Sequence, residues 1–309
     1  MKNLKKHNLQ LVCNNHHGST SSPHCILTRL RSYALTVFFL LSPHFLSAQV
    51  SHEFSITGGG GASTLNYKLS QGKKTLGFGG DAGLGYTCIF IKMVGIHIGA
   101  EVGFYSANAN FDGAEVVTQN LTDSDGDRFN MHTTLSQYKE TQNAMFLNIP
   151  VMVQFQIGMK HKFYAMGGIK IGIPLSSKYK GTAATLTNKG YYPEYENWMT
   201  MPEFAGFGTF SQAKTEGKLK LGITATLSLE AGGKWKLGEK FALYTGVYFD
   251  YGLNNILKVN NQPFVNYKAT LPATFTTNSA LPSLTHKINV MAVGIKLRFA
   301  FNLRHLRAF

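Results

Sequence analysis

Long hydrophobic runs are missing from this chain. Its most apolar stretch, Ala34 to Leu41 (ALTVFFLL), falls far short of the roughly 20 residues that a membrane-crossing helix needs. Charge is also scarce. Asp, Glu, Lys and Arg make up 15% of the residues, against about a quarter in ordinary soluble domains. Glycine (32 residues) and aromatics (12%) are plentiful instead. That mixture is poor material for a helical protein and suits closely packed strands with aromatic belts. Acidic residues are outnumbered 16 to 30, but the basic excess is spread too thinly to point to nucleic acid. It suits anionic lipid headgroups or glycans.

The first 49 residues read as a removable segment. Arg29 and Arg31 precede the apolar run, Pro43 breaks it, and a small-residue site follows at Leu46–Gln49. Together these make a secretory signal peptide behind a long N-terminal extension. Cleavage there removes Cys13 and Cys25 and five basic residues. Cys88 is then the last cysteine, an intrachain disulfide is excluded, and the formal charge falls from +14 to +9.

What the rest of the chain has is period-two alternation. In FLNIPVMVQFQIG (Phe146–Gly158), Leu147, Ile149, Val151, Val153, Phe155 and Ile157 are apolar, with Asn148, Gln154 and Gln156 between them. That is a strand with two unlike faces. Further runs occupy His52–Thr64, Thr75–Ile91, Val94–Tyr105, Lys162–Leu175, Lys218–Trp235, Phe241–Leu253 and Lys287–Phe301. Each supplies the roughly 9–11 residues of a tilted membrane strand. The connections alternate between short (Lys92–Met93, Met159–His161, Lys236–Lys240) and long (Leu65–Lys74, Ser106–Met145, Ser176–Gly217, Asn254–His286). A transmembrane barrel sorts its connections this way, with tight periplasmic turns and long outer loops. A β-sandwich has no reason to.

The expected fold is all-β: an eight-stranded antiparallel transmembrane β-barrel over residues 50–301, with a periplasmic tail at 302–309. In such a barrel the apolar set faces lipid and the polar set faces the lumen. Asp81, Glu101, Glu230, Asp250, Lys170, Lys220, Lys296 and Arg298 then point inward and must pair. Eight strands leave room only for side chains, so the lumen is expected to be plugged. Pro150 removes one ladder hydrogen bond, which predicts a bulge near the loop end of its strand.

The segments FLNIPVMVQFQIG and FYAMGGIKIGIPLSSKY, joined by a short turn, resemble the PorT-like outer-membrane β-barrel family. In that family an aromatic-Leu-x-Ile-Pro strand precedes a glycine-bearing one. The resemblance covers Phe54 to Phe301 and is specific over Phe146–Leu175. It implies an outer-membrane barrel without family catalytic residues. It also implies, through one namesake, a link to protein secretion that fold alone does not transfer.

Several motifs bear on chemistry. Asp123, Asp125 and Asp127 (DSDGD) are candidate calcium ligands. Arg128 and Thr134 replace the glycine and glutamate of an EF-hand loop, so the competing reading is a solvated turn. His97 and Glu101 share a strand face and could form an acid–base pair or a packed polar pair. No G-x-S-x-G nucleophile motif occurs. Gly58–Gly61 lacks the Lys-Ser/Thr of a phosphate loop and reads as a bend or a close approach. Cys88 reads as a small lipid-facing hydrophobe. Asn188–Phe210 gathers Tyr191, Tyr192, Tyr195, Trp198, Phe204, Phe207 and Phe210, either as a binding surface or as a cap over the barrel mouth. The expected function is a non-enzymatic bacterial outer-membrane protein with a structural, binding or assembly role. A secretion-machine component and a lipid-modifying enzyme are the alternatives. The expected partners are outer-membrane lipid and lipopolysaccharide, the barrel-assembly machinery and an envelope protein. No cofactor is expected apart from the candidate calcium.

Overall fold

A computed structural model describes residues 50–69, 72–258, 263–285 and 287–303. The expected signal peptide and the tail from residue 304 lie outside the described residues. In chain order the strands are β1 (Ser51–Tyr67), β2 (Lys73–Ile91), β3 (Val94–Phe111), β4 (Ala114–Thr122), β5 (Arg128–Ser136), β6 (Tyr138–Gly158), β7 (His161–Thr182) and β8 (Thr185–Tyr192). They continue as β9 (Asn197–Met199), β10 (Gly208–Ser211), β11 (Lys214–Lys218), β12 (Thr224–Lys236), β13 (Phe241–Gly252), β14 (Val265–Lys268), β15 (Thr274–Thr277) and β16 (Ile288–Asn302).

Eight of these close a ring in the order β1–β2–β3–β6–β7–β12–β13–β16, with β16 pairing back onto β1 and every pairing antiparallel. Closure removes the free edges that an open sheet would expose. The alternation decides the faces. On β6 the apolar set from Ile149 to Ile157 is 37% to 63% exposed, while Asn148, Gln154 and Gln156 on the other parity are buried. An outward apolar set and an inward polar set are what a bilayer requires. The periplasmic rim carries an aromatic group, Phe241, Phe299 and Phe301, with ring centroids 5.1–5.7 Å apart. Interfacial aromatics of this kind are typical of membrane barrels.

Close strand contact explains Gly61. It is paired with Gly294 on β16 and Gly79 on β2, and a side chain there would strike the Val293 carbonyl. Pro150 does not bulge its strand. It stays in register opposite Lys170, and the pairing to β3 lapses around Gly99 and Ala100 and resumes unchanged. The nearest bulge lies on the neighbouring strand β7, where Leu175 is the extra residue between the partners of Met145 and Phe146.

The long connections differ from expectation. β6 has 21 residues and β7 has 22, about twice what a bilayer crossing needs, so the wall continues above the membrane. The connections also build a second sheet, β10–β8–β5–β4 with β9 beside β8, and a small β14–β15 hairpin. The run Lys218–Trp235 is likewise not one strand. β11 ends at Lys218, β12 begins at Thr224, and between them Leu219 and Leu221 are 5% exposed, in an apolar core above the lumen. Lys220 is exposed and does not belong to the lumen set.

Candidate functional site

Three regions hold the chemistry: the lumen, the mouth above it and the outer face of the second sheet.

In the lumen, inward parity brings charges from seven of the eight ring strands together. Lys296 Nζ lies 2.6 Å from Glu101 and 3.0 Å from Asp81, and Lys170 Nζ lies 2.8 Å from Asp250 and 3.5 Å from Glu101. Arg298 binds Glu230 at 2.8 Å, and Tyr164 donates to the same oxygen at 2.8 Å. Every predicted inward charge other than Lys220 takes part. Two members escaped the sequence reading: Lys234, bound to Glu53 at 2.6 Å, and Glu53 itself, which also accepts from Tyr244 at 2.5 Å. The signal was available, since Glu53 shares parity with the small polar Ser55 and Thr57. Charges held this deep are stable only when matched by partners. Below them a cavity of about 300 Å³ opens toward the periplasm, lined by Glu53, Gln156, Lys162 and Lys234 among others.

His97 and Glu101 share the inward face but do not pair with each other. His97 Nδ1 is bonded to Thr87 Oγ1 at 2.9 Å, and Glu101 is held by the two lysines. Gly85 leaves the space that the imidazole occupies.

At the mouth, the lumen gives way to apolar packing by Leu65, Phe111, Tyr138, Phe146, Phe264 and Leu281, all 2% exposed or less. One carboxylate fastens this cap. Glu140 on β6 accepts from Tyr138 (2.7 Å), Gln142 (2.9 Å), Ser279 Oγ (2.5 Å) and the Ala280 amide (3.0 Å). The last two donors begin the helical turn Leu281–Leu284, so Glu140 ties the final connection across the opening.

The Asn188–Phe210 aromatics divide between the two expected roles. Tyr192 and Phe207 are buried and pack on Phe129, at centroid distances of 5.3 and 5.4 Å. Trp198, Tyr195 and Phe204 stand exposed at 48%, 56% and 59%, with Met199 and Met201 beside them in the chain. Trp198 is steadied by His132 on one side (4.8 Å) and Tyr191 on the other (4.9 Å).

The aspartates lie in the turn between β4 and β5. Asp123 Oδ1 accepts from the Asp125 and Asp127 amides, Asp123 Oδ2 from Tyr192 (2.9 Å), and Asp127 Oδ2 from Tyr195 (3.1 Å). Burial, and then the bond to Asp123, hold the Tyr192 phenol above its ordinary pKa. Among the described residues no three His, Cys, Asp or Glu groups are placed to hold one metal ion. Cys88 lies half-buried on the lipid-facing parity of β2.

The family match agrees with this architecture. The outer membrane protein beta-barrel domain family matches residues 47–258. Among solved structures, Ail, the attachment invasion locus protein of Yersinia pestis, aligns at 11% identity over 81% of this chain and 97% of its own, with a TM-score of 0.28. A major outer membrane protein from Thermus thermophilus aligns at 13% identity over 81% and 99% (TM-score 0.36). OprG from Pseudomonas aeruginosa aligns at 14% over 81% and 94% (TM-score 0.32). No curated protein matches in sequence.

Proposed function

We propose, from the premise that this chain belongs to the outer membrane protein beta-barrel domain family and resides in the bacterial outer membrane, that it is a closed, non-enzymatic barrel displaying a rigid β-platform to a partner outside the cell. One observation carries the reading: the outer sheet is braced from within and bare on its outside. Asn188 bonds Thr133 and the Gly206 carbonyl, and the Val265 amide bonds Thr118. Trp198, Tyr195 and Phe204 nevertheless remain exposed. Rigid aromatics in a preorganised setting lose little entropy on binding and are frequent binding hot spots. Against catalysis, His97 faces the buried hydroxyl of Thr87 and Glu101 is engaged by lysines.

A component of a protein-secretion machine, as the resemblance over Phe146–Leu175 implies, is one form of this reading. The partner's identity distinguishes it. Photo-cross-linking on intact cells from position 201, where Met201 is exposed beside Trp198 and Phe204 in the chain, is expected to capture a discrete partner. Trp198→Ala with Phe204→Ala is expected to abolish capture while the barrel stays folded. Undiminished capture by that double variant would remove the platform from the proposal.

The sequence expectation of calcium at Asp123, Asp125 and Asp127 gives way in this proposal to a turn whose carboxylates serve backbone amides and tyrosines. Equal protease sensitivity near Arg128 with calcium and with chelator is the expected result. Protection by calcium that Asp125→Ala removes would restore the metal site.

A further inference from the structure

On the outer wall, β7 presents Ile169, Ile171, Ile173 and Leu175 to lipid, each 42% to 50% exposed. Leu175 is itself the bulge opposite Met145 and Phe146, and above it the outward residues become Lys178 and Lys180. The next strand adds more charge of the same sign. In the β11–β7 pairing, Lys218 stands directly opposite Lys178 and Lys214 opposite Thr182, all on the exposed face. Like charges directly opposed across two strands are destabilising on their own account. Glu216 faces Lys180, yet none of these four lysines forms an ion pair among the described residues.

Lys178 and Lys180 border a groove, and Lys218 stands one strand beyond them on β11. About 360 Å³ of surface space lies across β2, β3, β6 and β7, floored by Phe78, Phe104 and Met145 and rimmed by Ser176, Lys178 and Lys180. Phe78 is 78% exposed and Phe104 is 52% exposed. The apolar floor lies at the top of the lipid-facing band and the ammonium groups just beyond it. A ligand matching that order has acyl chains below and anionic groups above. In the outer membrane it must be reached from the outer leaflet, because this end of the barrel carries the long connections.

We propose that this groove is a binding site for a phosphorylated glycolipid of the outer leaflet, whose phosphate bridges Lys178 and Lys218 while an acyl chain lies on Phe78 and Phe104. An anion between the two lysines turns a repelling cross-strand pair into a clamp. The inference rests on the membrane placement of the chain and not on the platform reading, so either can fail alone.

The test uses the full chain purified in zwitterionic detergent, with bound lipid counted by native mass spectrometry. The probes are phosphorylated lipid A, the same lipid with its phosphates removed, phosphatidylglycerol, and inorganic phosphate. One equivalent of phosphorylated lipid A is expected to bind in preference to the other three. Lys178→Gln with Lys218→Gln is expected to weaken that binding roughly thirtyfold while the heat-modifiable gel shift persists. Lys236→Gln with Lys240→Gln, a charge-matched pair at the periplasmic end, is expected to leave it unchanged. Equal binding of the dephosphorylated lipid or of phosphatidylglycerol would overturn the site. So would displacement of the lipid by inorganic phosphate, equal weakening by the periplasmic pair, or unchanged binding by the Lys178 and Lys218 variant.

Discussion

Glu230 and Arg298 meet at 2.8 Å with neither more than 4% exposed. Removing one partner strands the other charge where water cannot reach it. Glu230→Ala and Arg298→Ala are each expected to cost about 3–5 kcal/mol, read by urea unfolding in detergent. Replacing both with apolar residues of similar volume is expected to cost much less than the two single losses combined, because no charge is left orphaned. A pair of single variants that unfold like the parent would mean that these side chains do not face the lumen. Parity made most of the lumen set legible from sequence, since Asp81, Glu101, Lys170, Asp250, Lys296 and Arg298 all sit between outward apolar residues. Lys220 was misplaced for a physical reason: Leu219 and Leu221 alternate just as lipid-facing residues do, but their apolar surroundings are the cap. Alternation records which side chains avoid water and does not record whether lipid or protein excludes it.

At the scale of the element, β16 closes the ring and carries the outward set Val293, Ile295, Leu297, Phe299 and Phe301. Phe299 is paired with Ile56 on β1 and Leu243 on β13 and stacks on Phe241 at 5.7 Å. A final strand with an apolar face and a terminal aromatic is the element we expect the barrel-assembly machinery to engage. Phe299→Asp is expected to abolish the heat-modifiable form in outer-membrane fractions, whereas deletion of residues 304–309 is expected to leave it intact. The opposite pattern would move the assembly signal to the tail. The ring strands were visible in the sequence because a membrane strand must alternate over its whole crossing. β4, β8, β9 and β10 were not, because short strands in a polar, water-exposed setting carry too few repeats to stand out from loop. The ladder gap at Pro150 was legible, but not that it needs no bulge, since the register around it is held from the β7 side.

For the whole molecule, a charged lumen under an apolar cap is the arrangement expected of a plugged barrel. Reconstituted in planar bilayers, it is expected to show no large stable conductance. Porin-sized steps would require the cap to lift under the conditions of recording. Glu140→Ala removes the acceptor of four hydrogen bonds, two of which, from Ser279 and Ala280, hold the last connection in place. It is therefore the single variant expected to expose Lys268 to protease while leaving the ring intact.

The Glu140 tie also constrains the order of events during biogenesis. Glu140 and Ser279 are 139 positions apart in the chain, and the lumen pair Lys296–Glu101 spans 195. Neither contact can exist until nearly all of the chain has been delivered to the membrane. Once the lumen charges have met, no space is left through which the polypeptide of the outer sheet could follow. Export of that polypeptide must therefore precede closure of the ring. The outer sheet is therefore expected at the cell surface before the final β16–β1 pairing seals the seam.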